Sequence, residues 1–151
     1  MSETDDTIIR LQLDQLQDYR FEIHFGGDVP VLMSDEPSPL GTGLGPSPTQ
    51  LLSAAVGNCL SASLLFALRK FKLTAEPMRC EVSSRVGRNP EGRVRVLAMD
   101  AVLTLGVPAA SLEHLDRVLG QFEAFCTVTQ SVGQGIPITI GIFDSTGQRL
   151  K

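Results

Sequence analysis

The pattern of apolar and polar positions predicts three strands in the first part of the chain. The segment 7–13 alternates between apolar and polar side chains from Ile9 onward, and the segment 19–25 alternates throughout, which is typical of half-buried strands. The apolar face of the second segment consists of Tyr19, Phe21, Ile23 and Phe25. A Gly-Gly-Asp-Val-Pro turn at 26–30 then leads into a third apolar segment at 31–33.

A long uncharged segment follows a loop rich in Pro, Gly and Ser at 34–48. Ser47, Pro48 and Gln50 predict the start of a helix, because the serine can accept a backbone hydrogen bond, proline suits the first helical position and the glutamine can reach back. We expect the helix to end between Arg69 and Lys72, whose cations suit a helix C-terminus. The apolar residues assigned to one side of it are Leu52, Ala55, Val56, Cys59, Ala62 and Phe66.

This helix is apolar nearly all round, which predicts that it is enclosed on most faces. Residues 49–68 carry no charge and are numerous enough to span a bilayer. Their polar members, which would be costly in hydrocarbon, favour a helix buried in a soluble protein instead. The sequence therefore predicts no membrane partner.

The second half of the chain predicts two strands, two helices and a last strand. Residues 78–86 alternate, a turn follows at 87–92, and a second strand runs from Val94 to about Leu105, with a change of apolar phase near 99–101 that indicates a bulge. Ser111 is predicted to cap a helix that continues to about Phe125. The apolar stripe of this helix consists of Leu112, Leu115, Val118, Leu119 and Phe122.

A short helix at 127–132 and a strand at 136–143 complete the predicted elements. Connections between consecutive strands are of hairpin length, so we expect largely antiparallel sheets. The order of three strands, helix, two strands, helix and strand predicts an α+β fold. The length of 151 residues predicts one domain over residues 1–151.

Composition and charge restrict the possible functions. The net charge of −4 and the scattered basic residues argue against a nucleic-acid partner. The acidic N-terminus lacks the pattern of a secretory signal, which predicts a cytoplasmic protein in a reducing compartment. There, three cysteines do not indicate a disulfide framework. The glycine-rich loop lacks the ending of a phosphate loop, and the cysteines and two histidines lack metal-ligand spacing, so no cofactor and no metal site are predicted.

The three cysteines are the best candidates for chemistry. Cys80 lies on the apolar face of a strand and is interpreted as a small buried hydrophobe. Cys59 lies on an apolar helix face, but its small polar neighbours leave space beside the thiol. Cys126 lies at a predicted helix start, where backbone amides favour the thiolate, although it could simply end the apolar stripe. If one of these two thiols is reactive, the other could recapture its sulfenic acid.

Two separated motifs make the chain resemble a known family. The segment Gly-Pro-Ser-Pro-Thr-Gln-Leu-Leu-Ser-Ala-Ala-Val-Gly-Asn-Cys-Leu at 45–60 is similar to the helix of the OsmC/Ohr family, the osmotically inducible and organic hydroperoxide resistance proteins. A second cysteine, Cys126, follows a C-terminal helix, and the order of strands and helices also matches. The resemblance covers most of the chain.

The resemblance implies an OsmC-like two-layer fold, with antiparallel sheets wrapped around long central helices in an intertwined homodimer. It also implies a cysteine-based peroxidase for organic hydroperoxides, with Cys59 attacking the peroxide and Cys126 closing a disulfide upon it. An external dithiol, often lipoyl-linked in this family, would restore both thiols.

The chain also departs from the peroxidase members, which favours the broader OsmC-like branch. Thr49 occupies the position, ten residues before Cys59, of a glutamate that orients an arginine against the sulfur. Cys126 is followed by threonine where the peroxidases commonly have proline. Arg20 is the candidate cation, although a surface charge on the polar face of its strand is the simpler interpretation. Two alternatives to a peroxidase therefore stay open, namely a dimeric binding protein for a lipophilic small molecule and a structural role with thiols as core residues.

Overall fold

The structure is a computed structural model that describes residues 6–151. Its elements are β1 (Gln12–Gln17), β2 (Arg20–His24), β3 (Leu32–Ser34), α1 (Pro48–Lys70), β4 (Arg79–Arg88), β5 (Val94–Thr104), a 3-10 turn (Ala109–Ser111), α2 (Leu115–Gln121), a second 3-10 turn (Phe122–Phe125), α3 (Thr127–Val132) and β6 (Ile138–Phe143). This order confirms the predicted α+β class. The chain divides into two compact units, residues 1–51 and 52–151, and its treatment as one domain stays a prediction.

The first unit contains an antiparallel sheet in the order β1-β2-β3. The strand predicted at 7–13 begins only at Gln12 and continues to Gln17. All residues of β1 are exposed, so its bounds are set by pairing with β2 rather than by burial. The hairpin turns at Asp18, which has a φ of 52°, and this turn aligns Gln12 with His24.

Asp35 organises the loop between β3 and α1. Its buried carboxylate accepts hydrogen bonds from the Thr42 hydroxyl at 2.6 Å and from the backbone amides of Glu36, Thr42 and Leu44 at 2.8, 3.1 and 3.2 Å. These bonds, with that of the Thr42 hydroxyl the strongest, lower the pKa of Asp35 to about 2, against the opposing effect of its burial. A charged carboxylate therefore fixes the path by which the chain enters α1.

The predicted capping arrangement of α1 is confirmed. The Ser47 hydroxyl accepts a hydrogen bond from the Gln50 amide at 3.3 Å, and the Gln50 side chain accepts one from the Ser47 amide at 2.8 Å. These reciprocal bonds satisfy two donors that a helix start leaves free. The helix ends at Lys70, as predicted.

The face of α1 that is buried differs in part from the predicted one. The buried residues are Val56, Gly57, Leu60, Leu64, Ala67 and Leu68. Ala55, Ala62 and Phe66 of the predicted side are exposed, Phe66 by 65%. A helix that is apolar all round gives no period from which to choose a face. By length and composition alone α1 could also cross a membrane, a test that core helices of soluble proteins pass as well.

The second unit contains a sheet in the order β4-β5-β6. β4 and β5 form the predicted antiparallel hairpin. The bulge lies at Leu97, because Arg85 pairs with Ala98 and Val86 pairs with Val96. The predicted change of phase is thus confirmed, a little earlier in the strand than expected. β6 runs parallel to β5, against the antiparallel trend, because the intervening helical segments return the chain to the sheet in the same direction.

The helix predicted from Ser111 is interrupted. Ser111 ends a 3-10 turn, and its hydroxyl donates to the Pro108 carbonyl at 2.8 Å instead of capping a helix. His114 then adopts a left-handed conformation with a φ of 58°, and α2 begins only at Leu115. The predicted apolar stripe is nevertheless buried or partly buried. Burial of the stripe does not require one continuous helix.

Small residues bring α1 close to β4 within the second unit. A side chain built on Gly57 would place its Cβ 2.8 Å from Val82 Cγ2 and 3.5 Å from Cys80 Sγ. One turn earlier, the hydroxyls of Ser53 and Ser84 lie 2.7 Å apart. This close packing fixes the segment of α1 that carries Cys59.

Candidate active site

The structure brings together the two cysteines singled out in the sequence. Cys59 lies in the middle of α1, and Cys126 lies directly before α3. Cys126 Sγ donates a hydrogen bond to Cys59 Sγ over a distance of 2.7 Å, and both thiols are free. Two residues far apart in the chain thus form a thiol pair inside one compact unit.

The two thiols differ in their access to solvent. Cys126 is fully buried, whereas Cys59 is partly exposed. Cys126 Sγ also lies 2.9 Å from Thr129 Oγ1, and Thr129 itself is only 6% exposed. A molecule arriving from solvent therefore meets Cys59 before it meets Cys126.

Their surroundings move the pKa values of the two thiols in opposite directions. Burial opposes ionisation of Cys59, but hydrogen bonds outweigh it and lower the pKa of the Cys59 thiol. The donors are the Cys126 thiol, the backbone amides of Val128 and Thr129, and the Ser63 hydroxyl. The pKa of the Cys126 thiol is raised, mainly by burial and then by its bond to Cys59. Cys59 is therefore the member of the pair that ionises first.

Ser63 and Thr129 were not singled out as site residues in the sequence analysis. Their spacing was the available signal, since Ser63 follows Cys59 by four positions and Thr129 follows Cys126 by three. Residues three or four apart share one face of a helix. A search for polar residues three or four positions after each candidate thiol would therefore have identified both Ser63 and Thr129.

Arg20, the candidate cation, lies in the first compact unit. Its guanidinium donates to the Gln17 side chain at 2.7 Å, across the turn between β1 and β2. The influences that lower the pKa of Cys59 are hydrogen bonds. The role of Arg20 in activating Cys59 thus stays a prediction.

Cys80 lies on β4, apart from the thiol pair. Its sulfur faces Gly57 of α1, and the residue packs against the hydrophobic core. Burial raises the pKa of the Cys80 thiol, opposed by a hydrogen bond from Ser61 and assisted by the charge of Glu81. Cys80 was predicted to be a small buried hydrophobe, and the structure places it partly buried against the core.

Within the described part of the chain, no three His, Cys, Asp or Glu residues cluster closely enough to hold a metal ion. The chemistry that the site offers is that of thiols. An accessible sulfur with a lowered pKa is a nucleophile, and the neighbouring sulfur can form a disulfide with it.

The structure combines an α+β fold of two small sheets and a long helix with a pair of neighbouring thiols. Residues 41–141 match the family model described as OsmC, OsmC-like protein, which is most of the chain. The protein belongs to the OsmC-like family. No curated protein matches its sequence.

Solved structures of the same fold come from several bacteria. An OsmC-like protein of unknown function from Vibrio cholerae is 15% identical with a TM-score of 0.76, and the match covers 91% of this chain and 99% of that chain. An OsmC-like protein from Mycoplasma pneumoniae is 14% identical with a TM-score of 0.73, covering 92% and 98%. The organic hydroperoxide resistance protein OhrB of Bacillus subtilis is 12% identical with a TM-score of 0.68, covering 90% and 98%. The family thus includes both hydroperoxide resistance proteins and proteins of unknown function.

Proposed function

We propose that this protein is a cytoplasmic thiol peroxidase that reduces organic hydroperoxides through a disulfide between Cys59 and Cys126. The observation that carries the proposal is the 2.7 Å separation of the two sulfur atoms. The opposite directions of their pKa shifts support a division of roles, with Cys59 as the attacking thiolate and Cys126 as the resolving thiol.

The proposed reaction has three steps. The Cys59 thiolate attacks the terminal oxygen of the hydroperoxide, the O–O bond breaks, and a proton gained by the departing oxygen yields an alcohol and a Cys59 sulfenic acid. Cys126 then loses its proton and its thiolate attacks the Cys59 sulfur, and the displaced hydroxide takes up a proton and leaves as water. An external dithiol, such as a lipoyl group, reduces the disulfide and is itself oxidised.

The surroundings of the thiol favour an organic substrate over hydrogen peroxide. Cys59 and Val128 both pack against the hydrophobic core. An alkyl group entering beside Cys59 would therefore meet apolar side chains, which hydrogen peroxide cannot exploit. The likeness to hydroperoxide resistance proteins is consistent with this substrate class.

The test is to mix the reduced protein with cumene hydroperoxide and to follow peroxide loss and thiol state by mass spectrometry. We expect a Cys59–Cys126 disulfide and consumption of one peroxide per chain. Cys59→Ser should abolish consumption, and Cys126→Ser should stop at the sulfenic acid. Cys80→Ser is the matched control and should behave as the parent protein. Unchanged peroxide and intact thiols in the parent protein would refute the proposal.

Arg20 is proposed as the cation that assists Cys59. Arg20→Lys should then retain more peroxide consumption than Arg20→Met, because lysine keeps the positive charge. Equal rates in the two variants and the parent protein would remove Arg20 from the site.

A homodimer is part of the proposal. Support comes from large apolar side chains that are exposed in the single chain, among them Phe66 at 65% and Phe125 at 64%. Exposed apolar surface of this kind is typical of an interface between subunits.

A second candidate function is binding of a lipophilic small molecule without peroxidase activity. Two observations favour it, namely Thr49 in place of the family's glutamate and a cavity of about 280 Å³ in the first compact unit. Apolar side chains, including Leu13, Tyr19 and Phe21, form much of the cavity lining. Under this hypothesis Cys59→Ser keeps the affinity for a fluorescent fatty acid. Loss of binding in a folded Cys59→Ser protein would argue for a thiol-dependent role instead.

A further inference from the structure

Thr129 contacts both members of the thiol pair. Its hydroxyl oxygen lies 2.9 Å from Cys126 Sγ. Its backbone amide is one of the donors that lower the pKa of Cys59. With 6% exposure, the side chain is shielded from water that could replace this contact.

The direction of the Thr129 bond follows from counting protons. A thiol carries one proton, and Cys126 donates to Cys59 Sγ. A threonine hydroxyl can rotate its proton toward either partner. With the thiol proton turned toward Thr129 Oγ1, Cys126 is the donor of this contact. While that proton points at Cys59, the Thr129 hydroxyl is the donor instead, which agrees with the lowering effect of its hydrogen bond on the pKa of Cys126.

We propose that the Thr129 hydroxyl is a catalytic hydrogen-bond donor that stabilises the Cys126 sulfur as an anion while this sulfur attacks the oxidised Cys59. The inference rests on the proposed function for its peroxide step, but it applies to any attack of Cys126 on a Cys59 that carries a leaving group.

The need for such a donor arises from the burial of Cys126. Burial disfavours its thiolate, yet the thiolate is the species that attacks. Once Cys59 is oxidised it is no longer a thiolate, and it therefore no longer acts as an anionic acceptor for the Cys126 proton. Thr129 is then, together with Ser63, a side-chain donor already in contact with the Cys126 sulfur. Its position is fixed by α3, the short helix whose Thr129 backbone amide also reaches Cys59.

The attack can be measured without any peroxide. When the reduced protein is treated with one equivalent of 5,5′-dithiobis(2-nitrobenzoate), the Cys59 thiolate attacks one sulfur of the reagent and the S–S bond of the reagent breaks. One coloured aromatic thiolate is released in this step, and the other aromatic thiol stays on Cys59 as a mixed disulfide. Cys126 then attacks Cys59, the bond between Cys59 and the aromatic sulfur breaks, the Cys126 proton goes to solvent, and a second coloured thiolate is released, whose rate of appearance is followed by absorbance. A Cys80→Ala background leaves only the two thiols of the pair.

Thr129→Val removes the hydroxyl at nearly constant volume. We expect release at neutral pH to slow by roughly ten- to a hundredfold, because a hydrogen bond to a charged group contributes that much to the equilibrium. The pH at which release reaches half its maximum should rise. Thr129→Ser should restore both the rate and the pH profile. Thr127→Val, an exposed threonine in the same helix, is the matched control and should leave both unchanged.

Equal release by Thr129→Val and the parent protein, with the same pH profile, would overturn the inference. So would a Thr129→Ser protein that is as slow as Thr129→Val, because the loss would then be one of packing. Failure of the peroxidase proposal would give a different result. In that case cumene hydroperoxide would leave Cys59 reduced, while release of the aromatic thiolate from the mixed disulfide would still depend on Thr129.

Discussion

Gly57 offers a sharp test of the packing that holds Cys59 in place. An added Cβ would lie 2.8 Å from Val82 Cγ2, well inside contact distance. Val82 is β-branched and lies within β4, so its methyl group has few ways to move. Gly57→Ala should therefore separate α1 from β4 or strain the Val82 side chain. Because Gly57 lies two residues before Cys59, either change would disturb the position of the proposed nucleophile.

The magnitude follows from two opposing effects. Alanine in place of glycine stabilises a helix by about 1 kcal/mol. Overpacking of a well-packed site costs about 1–3 kcal/mol. Gly57→Ala should thus lower the free energy of unfolding by about 0–2 kcal/mol. Gly120→Ala is the control, because Gly120 lies in α2 with nothing within 4 Å of an added Cβ, and it should be stabilising.

Urea unfolding of both variants at one protein concentration measures the difference, since association would otherwise alter the apparent stability. We expect the two variants to differ by about 1–3 kcal/mol. The reasoning is refuted if Gly57→Ala stabilises the protein as much as Gly120→Ala does.

Three further predictions follow from the titrating groups and the exposed surface. Cys59 should be alkylated by iodoacetamide at lower pH than Cys80, as measured by peptide mass spectrometry, because their pKa values are shifted in opposite directions; equal profiles would contradict this. The pKa of Asp144 is lowered from 3.8 to about 2, mainly by the Ala109 amide, so its stabilisation is present above pH 3.8 and is lost as pH falls through about 2. Asp144→Asn should flatten the fall in unfolding free energy over that interval, and an unchanged slope would count against the assignment. Phe66→Ser should shift a dimer toward monomer in light scattering, whereas Val94→Ser, also at an exposed apolar position, should not.

The sequence predicted the start of α1 and most of the strands correctly, because these depend on interactions between residues close together in the chain. The capping residues Ser47, Pro48 and Gln50 determine where α1 begins through bonds within one turn, and the structure has those bonds. The alternating segments predicted β2, β4 and β5 with small errors at their ends. The start of β1 was misplaced because every residue of that strand is exposed and only pairing with β2 sets its limits.

The candidate site was predicted in part. Cys59 and Cys126 could be singled out by their settings and by a family motif, because residue type and helix position are visible in a single chain. Ser63 and Thr129 were missed: their spacing from Cys59 and Cys126 is visible in the sequence, but only the fold shows that their hydroxyls hydrogen-bond to the thiol pair. The interrupted helix before Cys126 was also missed, because the apolar stripe is compatible with both a continuous and a broken helix.

The sequence by itself determined the class of fold, the start of the central helix and the identity of the two thiols, because these depend on periodicity, capping and residue chemistry within short segments. Only the tertiary structure decided which face of α1 is buried, that β6 runs parallel to β5, and that the two sulfur atoms meet at 2.7 Å. The physical reason is that each of these depends on contacts between residues distant in the chain. The opposite pKa shifts of the two thiols arise from the same contacts, since the hydrogen bonds that favour the Cys59 thiolate come mainly from the segment around Cys126.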